Sequence, residues 1–403
     1  MEDTSSTFQQ GNSSPSSLDF SLCPTAATLI FLPSIYALLF LTALPGNMLS
    51  LWVFLRCIST ISPTHVYLSH LSISNLLLCL TSPFLAAYYA HGSAWALNDI
   101  LCQLVLHGIT PVLHINIYIS LLILTWVALC RFAALIQNTH ASRPSTLITL
   151  LPHGFFTRLT KVTFANTVCV IVWVVSVGGI VPVTVYYSVN EAMSSTTSTE
   201  DEKGECMKVC YSPPVELGGS TSATLTVPVI IMFFVFYLLV LLCYMTVLRH
   251  IRRSRRNTPL STSQNLLTRV FRNIVVIQVV LSVCLLPYHI YKPIFISLAH
   301  DQLELAFTYG PEICNSCHPL STFIELKNCL FLLAALRGST DPVMYFVLDQ
   351  KFRHQTLKLL RCNQKNQWRR LIFWSTTSNP KAEQTGEGNV GTATADLSHE
   401  SVL

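Results

Sequence analysis

The chain is poor in charge: Asp, Glu, Lys and Arg make up 11% of its 403 residues, while hydrophobic residues make up 51%. Because a soluble domain carries about a quarter charged residues, this composition excludes an ordinary soluble protein. The chain also lacks a phosphate-cradling glycine loop, an intramembrane cluster of metal ligands or a paired nucleophile, and repeats with paired broken helices, as transporters have. We therefore expect no enzyme, transporter or channel, and no cofactor, metal ion or nucleic-acid partner.

Basic residues are absent from the first 55 positions, where every charged residue is acidic. Residues 1–27 lack the basic start and apolar run of a cleavable signal peptide. Their Ser, Thr and Gln content predicts a disordered extracellular tail. Asn12-Ser13-Ser14 is the only N-x-S/T acceptor in the chain, so it predicts a glycosylation site at Asn12.

Long apolar runs dominate the chain from residue 28 onward. Seven stretches of about 20 residues or more are each long enough to cross a bilayer; they span roughly 28–55, 64–90, 101–130, 164–187, 224–248, 270–298 and 321–347. We predict an all-α membrane protein. It has a seven-transmembrane helix bundle over 28–348, a short cytoplasmic amphipathic helix 8 over 349–362 and a disordered cytoplasmic tail over 363–403.

The charges of the loops predict the orientation of the bundle. The loops after the first, third and fifth stretches are basic, and the loop after the fourth is acidic. The positive-inside rule then places the N-terminus outside and the C-terminus in the cytoplasm. The basic inner face suits either an acidic lipid leaflet or the helix of a partner protein, and the sequence leaves both readings open.

Cysteines follow the same division. Six of the fourteen fall in outer loops or at outer helix ends: Cys23, Cys102, Cys206, Cys210, Cys314 and Cys317. An even set in an oxidising compartment indicates disulfides between loops, but sequence alone does not fix the pairing. We expect the other eight to be free thiols. Cys362, after the amphipathic stretch, is a candidate palmitoylation site, with an unmodified thiol as the alternative.

The seventh stretch carries two opposite charges inside an apolar run. Arg337 and Asp341 are four residues apart, so they lie one turn apart on the same helix face. A charge at the bilayer centre costs about 2.5–3.5 kcal/mol and usually faces the bundle interior with a partner. Pro342 frees a backbone carbonyl that neighbouring groups must satisfy. The stretch is therefore predicted to be an inward-facing, kinked helix.

One motif on each stretch carries a family resemblance. In order, the motifs are Gly46-Asn47, Leu71–Leu76 around Asn75, Cys130-Arg131-Phe132, Trp173, Tyr244, Cys284-Leu285-Leu286-Pro287 and Asp341-Pro342-Val343-Met344-Tyr345. Together they resemble a rhodopsin-like G-protein-coupled receptor of the nucleotide-receptor (purinergic) branch. The resemblance covers residues 28–362 except an insert around 138–160. It implies a plasma-membrane receptor with a heterotrimeric G protein and arrestin as cytoplasmic partners.

The resemblance also assigns residues to activation and coupling: Arg131, Cys130, Tyr244, Leu285, Pro287, Asp341, Pro342 and Tyr345. Three positions depart from the family pattern, namely Cys130 for the acid before Arg131, Leu285 for an aromatic residue and Phe236 for a proline. Without that acid, we expect raised basal activity or another restraint from the sixth helix or the inner loops. Arg131 could instead simply snorkel to the cytosol. The departures keep open a non-signalling decoy or a constitutively active receptor.

A further departure lies in the buried polar core that the resemblance implies: Asn47, Asn75, Ser120, Arg337 and Asp341. Most relatives bind sodium there through an acid at the position of Asn75. A guanidinium is a permanent cation with five donors. We hypothesise that Arg337 replaces the sodium ion, pairs with Asp341 and donates to Asn75 or Ser120. The alternative is that Arg337 only neutralises Asp341 and has no switching role.

Candidate ligand residues lie toward the outer side. His289 and Lys292 are three residues apart and share a helix face. The nucleotide-receptor branch carries His-x-x-Arg or His-x-x-Lys there, which reads anionic groups of nucleotides or lysophospholipids. By the same resemblance His114 and Tyr118 belong to the pocket. Lys327, near the start of the seventh stretch, offers a second cation. The alternative is a snorkelling Lys292 and a core His289.

The resemblance also implies two disulfides. It pairs Cys102 with Cys210, and Cys23 with Cys317. Cys206 and Cys314 either form a third bridge or remain free.

Overall fold

The computed structural model describes residues 24–92, 100–140, 157–196, 220–257, 261–308 and 321–361. The described backbone is helical, without strands. The chain divides into two compact units, residues 1–355 and residues 356–403. The first unit holds the long helices. Of the second, the described part is the helical stretch 356–361.

In the described ranges, seven long helices and a shorter eighth helix follow one another, with a single helical turn at 157–159 before the fourth. They are α1 (Ala27–Cys57), α2 (Pro63–Ala90), α3 (Ile100–Leu104, Val105–Ile109 and Thr110–His140), α4 (Val162–Thr196), α5 (Ser220–Asn257), α6 (Ser261–Val280, Leu281–Leu285 and Leu286–Thr308), α7 (Ser321–Leu348) and α8 (350–361). Seven of them are long and apolar enough to cross a membrane. The predicted seven-helix membrane fold with a helix 8 is therefore confirmed.

The helices extend beyond the apolar stretches that predict them. The sixth apolar stretch, 270–298, lies inside a helix that runs from Ser261 to Thr308, and the fifth, 224–248, lies inside Ser220–Asn257. Apolar residues mark only the part of a helix that lies in hydrocarbon. The backbone hydrogen bonds continue into the polar flanks, so hydropathy underestimates these helices.

The start of α2 illustrates how local sequence sets a boundary. Ser62 is extended and caps the helix, because its side chain accepts from His65 N while the His65 ring accepts from Ser62 N. Pro63 occupies the first turn, where its missing N–H costs nothing. The helix ends before Gly92, whose positive φ of 65° suits a residue without a Cβ.

The helices contribute unequally to the interior. In the span Thr110–Ala134 of α3, 78% of the apolar 18-residue window is buried, compared with 28% of the corresponding window in α1 and 22% in α5. The helix α3 therefore lies at the centre of the bundle, and α1 and α5 expose most of their apolar surface. Such surface requires lipid around it. A core cluster joins α1, α2, α3 and α7.

In α6 a wide turn precedes Pro287. Residues Leu281–Leu285 form a π-helical turn between two α-helical parts. Single π turns inside α-helices often mark functional positions. Here the turn buries Cys284 and Leu285, two residues of the sixth motif.

The contact between α1 and α7 depends on a glycine. A Cβ on Gly46 would lie 3.0 Å from Cγ and 3.3 Å from Cβ of Pro342. The proline ring cannot rotate away, so we expect Gly46→Ala to push α1 from α7 and to cost about 1–3 kcal/mol. The measurement is the melting temperature of the detergent-solubilised receptor.

The matched control is Gly178→Ala on α4, where a Cβ meets no atom within 4 Å. Alanine favours helix over glycine by about 1 kcal/mol, so this variant should melt at or above the wild-type temperature. Equal melting temperatures for the two variants would contradict the close contact.

Candidate functional site

A buried polar core lies between α1, α2, α3 and α7, and Arg337 is at its centre. Arg337 has no exposed surface. Its guanidinium donates to Asp341 Oδ2 and to Ser120 Oγ, and also to Asn75 Oδ1 at 3.1 Å and Asn116 Oδ1 at 3.2 Å. One side chain of α7 thus bonds to two other helices.

Three asparagines extend this core. Asn75 Nδ2 donates to Asp341 Oδ2 at 2.7 Å and to Asn47 Oδ1 at 3.1 Å. Asn47 Nδ2 donates to the Gly338 carbonyl at 2.8 Å, and Asn116 Nδ2 donates to Asn75 Oδ1 at 3.2 Å. The amides therefore connect α1 and α3 to the charged pair through α2 and α7.

All five residues predicted for the polar core come together here. Besides the pair with Asp341, one nitrogen of the guanidinium donates to oxygens of three further side chains. Sequence reasoning missed Asn116. The signal that could have found it is its position one turn before Ser120 in an otherwise apolar helix.

The acceptors around Arg337 share one chemistry. All are oxygen atoms, from Asp341, Asn75, Asn116 and Ser120. Oxygen ligands are those that hard cations prefer, and here a guanidinium occupies their centre. In the part of the chain that the structure describes, no three His, Cys, Asp or Glu side chains group as a metal site would require.

One end of the bundle, which we call the lysine end, carries Lys292 on α6 and Lys327 on α7. Lys292 Nζ lies 5.7 Å from the ring centre of Tyr288, and Lys327 Nζ lies 5.3 Å from that of Phe295. Both lysines are half-buried. Within the described ranges Lys292 forms no salt bridge.

The nearby acid of α7 is already engaged. Glu325 accepts hydrogen bonds from Thr25 N at 2.7 Å, from Thr25 Oγ1 at 2.8 and 2.9 Å, and from Thr28 Oγ1 at 2.6 Å. These bonds connect α7 to the start of α1. The carboxylate is therefore committed to the helix contact.

Two histidines lie below the lysines. His289 Nδ1 donates to the Leu285 carbonyl at 2.8 Å, and its ring stacks on Phe233 with centroids 3.7 Å apart. His114 Nδ1 donates to the Thr110 carbonyl at 2.9 Å. In each neutral ring Nε2 is then an acceptor. His289 Nε2 is buried and has no partner among the described residues.

The predicted ligand residues thus surround one region. Tyr118 packs edge-on to the ring of His289 at 5.9 Å, while the rings of His114 and Tyr288 both lie 5.2 Å from that of Phe331. The region combines aromatic surface, histidine acceptors and two cations. Such a set can bind a molecule that has both a ring and an anionic group.

The opposite end, which we call the arginine end, carries Arg131 on α3 and Asp349 between α7 and α8. Arg131 Nη2 lies 3.9 Å from Asp349 Oδ2. His65 Nε2 lies 2.9 Å from the same oxygen, and Phe352 N donates to Asp349 Oδ1 at 3.0 Å. Burial opposes ionisation of Asp349, but these hydrogen bonds and the attraction to His65 and Arg131 outweigh it and lower the pKa of the carboxyl.

The residue before Arg131 is not an acid. Cys130 is 5% exposed, and its Sγ lies 3.5 Å from the Leu159 carbonyl, so it supplies no charge beside Arg131. Among the described residues, a carboxylate near Arg131 is that of Asp349, at the junction of α7 and α8. Sequence reasoning missed both Asp349 and His65.

The remaining motif residues pack against neighbouring side chains or lie in the wide turn of α6. Tyr345 is buried, with its ring 5.5 Å from Phe54 and 6.1 Å from Phe352. The ring of Tyr244 on α5 stacks on Phe271 of α6 at 5.6 Å. Leu285 is buried in the wide turn and Pro287 follows it; Pro342 contacts Gly46 across the interface of α1 and α7.

Several predictions lie outside the described residues. They concern Asn12, Cys23, Cys210, Cys317, Cys362, the side chain of Cys102 and the open question of Cys206 and Cys314. Seven of the eight cysteines expected to be thiols are described, and all seven are free: Cys57, Cys79, Cys130, Cys169, Cys243, Cys284 and Cys329.

Comparison with known proteins agrees with the motifs. The family model "7 transmembrane receptor (rhodopsin family)" matches residues 46–345. Probable G-protein coupled receptor 82 of Homo sapiens is 36% identical over 333 residues, 82% of this chain and 92% of that protein. Its Mus musculus counterpart is 35% identical over 340 residues, 84% of this chain and 96% of that protein.

A more distant relative is the uracil nucleotide/cysteinyl leukotriene receptor of Homo sapiens, 25% identical over 327 residues, 81% of this chain and 76% of that receptor. The resemblance of the sequence motifs to rhodopsin-like receptors of the nucleotide-receptor branch, and to Probable G-protein coupled receptor 82, is confirmed. The chain is a multi-pass membrane protein and a signalling receptor rather than an enzyme. It belongs to the rhodopsin family of seven-transmembrane G-protein-coupled receptors.

Proposed function

We propose that this receptor binds a small anionic molecule at the lysine end and transmits the signal to a heterotrimeric G protein at the arginine end. The observation that carries the proposal is the pair of half-buried lysines, each over an aromatic ring. A cation held partly out of water pairs strongly with phosphate or carboxylate. Lys292 has no carboxylate partner in the described ranges, so a ligand would supply it.

The rest of the pocket suits a nucleotide or a lysophospholipid. The rings of Tyr118, Tyr288 and Phe331 offer apolar surface, and Nε2 of His289 offers a buried acceptor that a ligand hydroxyl or amino group would satisfy. One relative is, by its name, a receptor for uracil nucleotides and cysteinyl leukotrienes. A ligand with both an apolar part and an anionic group fits this surface.

The arginine end faces the cytoplasm in this proposal. Its loops are basic, as the positive-inside rule requires of a cytoplasmic face. The receptor then lies in the plasma membrane with the N-terminus outside and the C-terminus inside. Arg131 and Tyr244 contact the G protein, arrestin binds the same face, and Leu285, Pro287, Asp341, Pro342 and Tyr345 transmit the change between the two ends.

Modified residues complete the proposal. Asn12 is glycosylated outside, Cys362 is palmitoylated inside, and disulfides join Cys102 to Cys210 and Cys23 to Cys317. Residues 1–27 form the extracellular tail, 28–348 the bundle, 349–362 helix 8 and 363–403 the cytoplasmic tail.

A second candidate function is a non-signalling decoy or a constitutively active receptor. Cys130 favours it, because a buried thiol occupies the position where the family carries an acid before Arg131. Measuring G-protein activation and arrestin recruitment in transfected cells separates the candidates. A decoy activates neither pathway, and a constitutively active receptor activates G protein without ligand.

The pocket predicts the effect of removing one lysine. In a screen of nucleotides, carboxylate metabolites and lysophospholipids against receptor-expressing cells, Lys292→Ala should lower the potency of any activating anion about 10- to 100-fold. This change in potency corresponds to the loss of a charge-assisted hydrogen bond, which contributes about 1.5–3 kcal/mol to binding. The measurement is the concentration of ligand that gives half-maximal G-protein activation.

The control is Lys161→Ala, which removes an exposed lysine beside α4, away from the lysine end. This variant should respond as the wild type does. Activation of the wild-type receptor only by neutral or cationic molecules, or equal potency for the two variants, would contradict the proposed pocket.

A further inference from the structure

We propose that Asp349 is a positioning residue that holds Arg131 in the uncoupled receptor, in place of the acid that is absent at Cys130. The proposal rests on the proposed coupling role of Arg131. It assigns a function to the junction of α7 and α8 and to His65 at the start of α2.

The two carboxylate oxygens of Asp349 have different partners. Oδ1 accepts from Phe352 N and so caps the first turn of α8. Oδ2 faces the other way, 2.9 Å from His65 Nε2 and 3.9 Å from Arg131 Nη2. One oxygen fixes the side chain to its own helix, and the second is directed to α2 and α3.

His65 is itself held in one orientation. Its Nδ1 accepts from Ser62 N at 3.2 Å in the cap of α2, and its ring lies 6.0 Å from that of Phe54. Because Nδ1 is an acceptor, the neutral ring carries its proton on Nε2 and donates it to Asp349 Oδ2. His65 is 3% exposed. This donor fixes the carboxylate independently of Arg131.

Arg131 is the partner that can leave. The distance of 3.9 Å is longer than a hydrogen bond, and the Arg131 side chain is 25% exposed, compared with 8% for that of Asp349. The attraction is therefore electrostatic and reversible. When Arg131 swings toward a G protein, Asp349 keeps its bonds to Phe352 and His65 and remains in place for the return.

The test is basal G-protein activation by full-length variants at equal surface expression. Asp349→Asn retains an oxygen for the α8 cap, since Asn caps a helix about as well as Asp, but removes the charge facing Arg131. We expect basal activation to rise about two- to fivefold, the range that a partly exposed ion pair supports in a two-state equilibrium. In a receptor that couples, basal activation of this variant at or below that of the wild type would overturn the proposal.

Restoring an acid beside Arg131 gives a readout that a purely structural cap would not change. Cys130→Asp in the Asp349→Asn background should return basal activation to the wild-type value, because the new charge restrains Arg131 from the preceding residue. Absence of a decrease would refute the positioning role.

A matched control removes a different charge from the same helix. Lys351 is two residues from Asp349, and its Nζ donates to Thr60 Oγ1 at 2.6 Å, beside an open cavity of about 330 Å³. Lys351→Gln should leave basal activation unchanged. A rise equal to that of Asp349→Asn would assign the effect to any charge change on α8 and overturn the proposal.

Arg131→Ala separates failure of this proposal from failure of the proposed function. If the receptor couples, this variant falls to the level of mock-transfected cells, and the basal activation of the Asp349 variants decides the positioning role. If basal activation by the wild type and by every variant stays at the level of mock-transfected cells, the proposed coupling fails. Hydrogen exchange of the purified receptor then tests the positioning role. Asp349→Asn should then speed exchange of the amides flanking Arg131, and Cys130→Asp should slow it again. Unchanged exchange would overturn the positioning role.

Discussion

Arg337→Ala is expected to remove most of the correctly folded receptor from the cell surface. Asp341 is fully buried and contacts Arg337 and Asn75. Removing one partner of a buried ion pair leaves an uncompensated charge and costs about 3–5 kcal/mol. Three oxygens of α2 and α3 lose a donor in the same step. The measurements are surface expression and the melting temperature of the solubilised receptor.

The companion variant removes both charges. In Arg337→Ala/Asp341→Asn the new amide still accepts from Asn75, and no anion remains buried, so we expect surface expression to recover to a large part of the wild-type value. If the double variant is as poorly expressed as Arg337→Ala, lost packing rather than lost charge explains the defect. Wild-type stability of Arg337→Ala itself would contradict the central role of the ion pair.

Sodium is expected to stabilise Arg337→Ala and to have no effect on the wild type. Without the guanidinium, the oxygens of Asp341, Asn75, Asn116 and Ser120 surround a space that a hard cation can enter. Sodium at about a hundredfold above its Kd would contribute about 2.7 kcal/mol. The measurement is melting temperature and basal signalling with sodium exchanged for an organic cation at constant ionic strength.

The outcome decides whether Arg337 occupies the position of a regulatory ion. Arg337→Ala/Asp341→Asn lacks the anionic ligand and should not respond to sodium, which controls for general salt effects. A wild-type receptor whose melting temperature or basal signalling depends on sodium would contradict the substitution of Arg337 for the ion. So would an Arg337→Ala variant that ignores sodium.

Much of the bundle interior can be predicted from local sequence rules. Arg337 and Asp341 are one helical turn apart, and burying a charge is so costly that they had to face inward together. Their partners Asn75 and Ser120 are polar residues on apolar helices, for which the bundle interior is the favourable environment. These constraints act within single helices, so one sequence is enough to reveal them.

Asp349 and His65 could not be paired in this way. They are 284 residues apart, and each has a sufficient local explanation, Asp349 as the cap of α8 and His65 as part of the cap of α2. Their meeting depends on how α2, α3 and α7 pack at one end, which no helical periodicity encodes. Likewise, Trp173 Nε1 donates to His70 Nδ1 at 3.2 Å, a contact between helices that neither local sequence predicts.

The wide turn Leu281–Leu285 is a place where α6 can lose one residue and remain helical. A π turn contains one residue more than the α-helical turn it replaces. The helix therefore already accommodates one extra residue at this turn. Deleting one residue within the turn would restore regular helix and leave His289 and Lys292 directed as they are. Deleting one residue between Leu285 and His289 would instead rotate both side chains by about 100° about the helix axis. Loss of one residue from this turn would therefore leave unchanged the direction of the two side chains that we propose face a ligand.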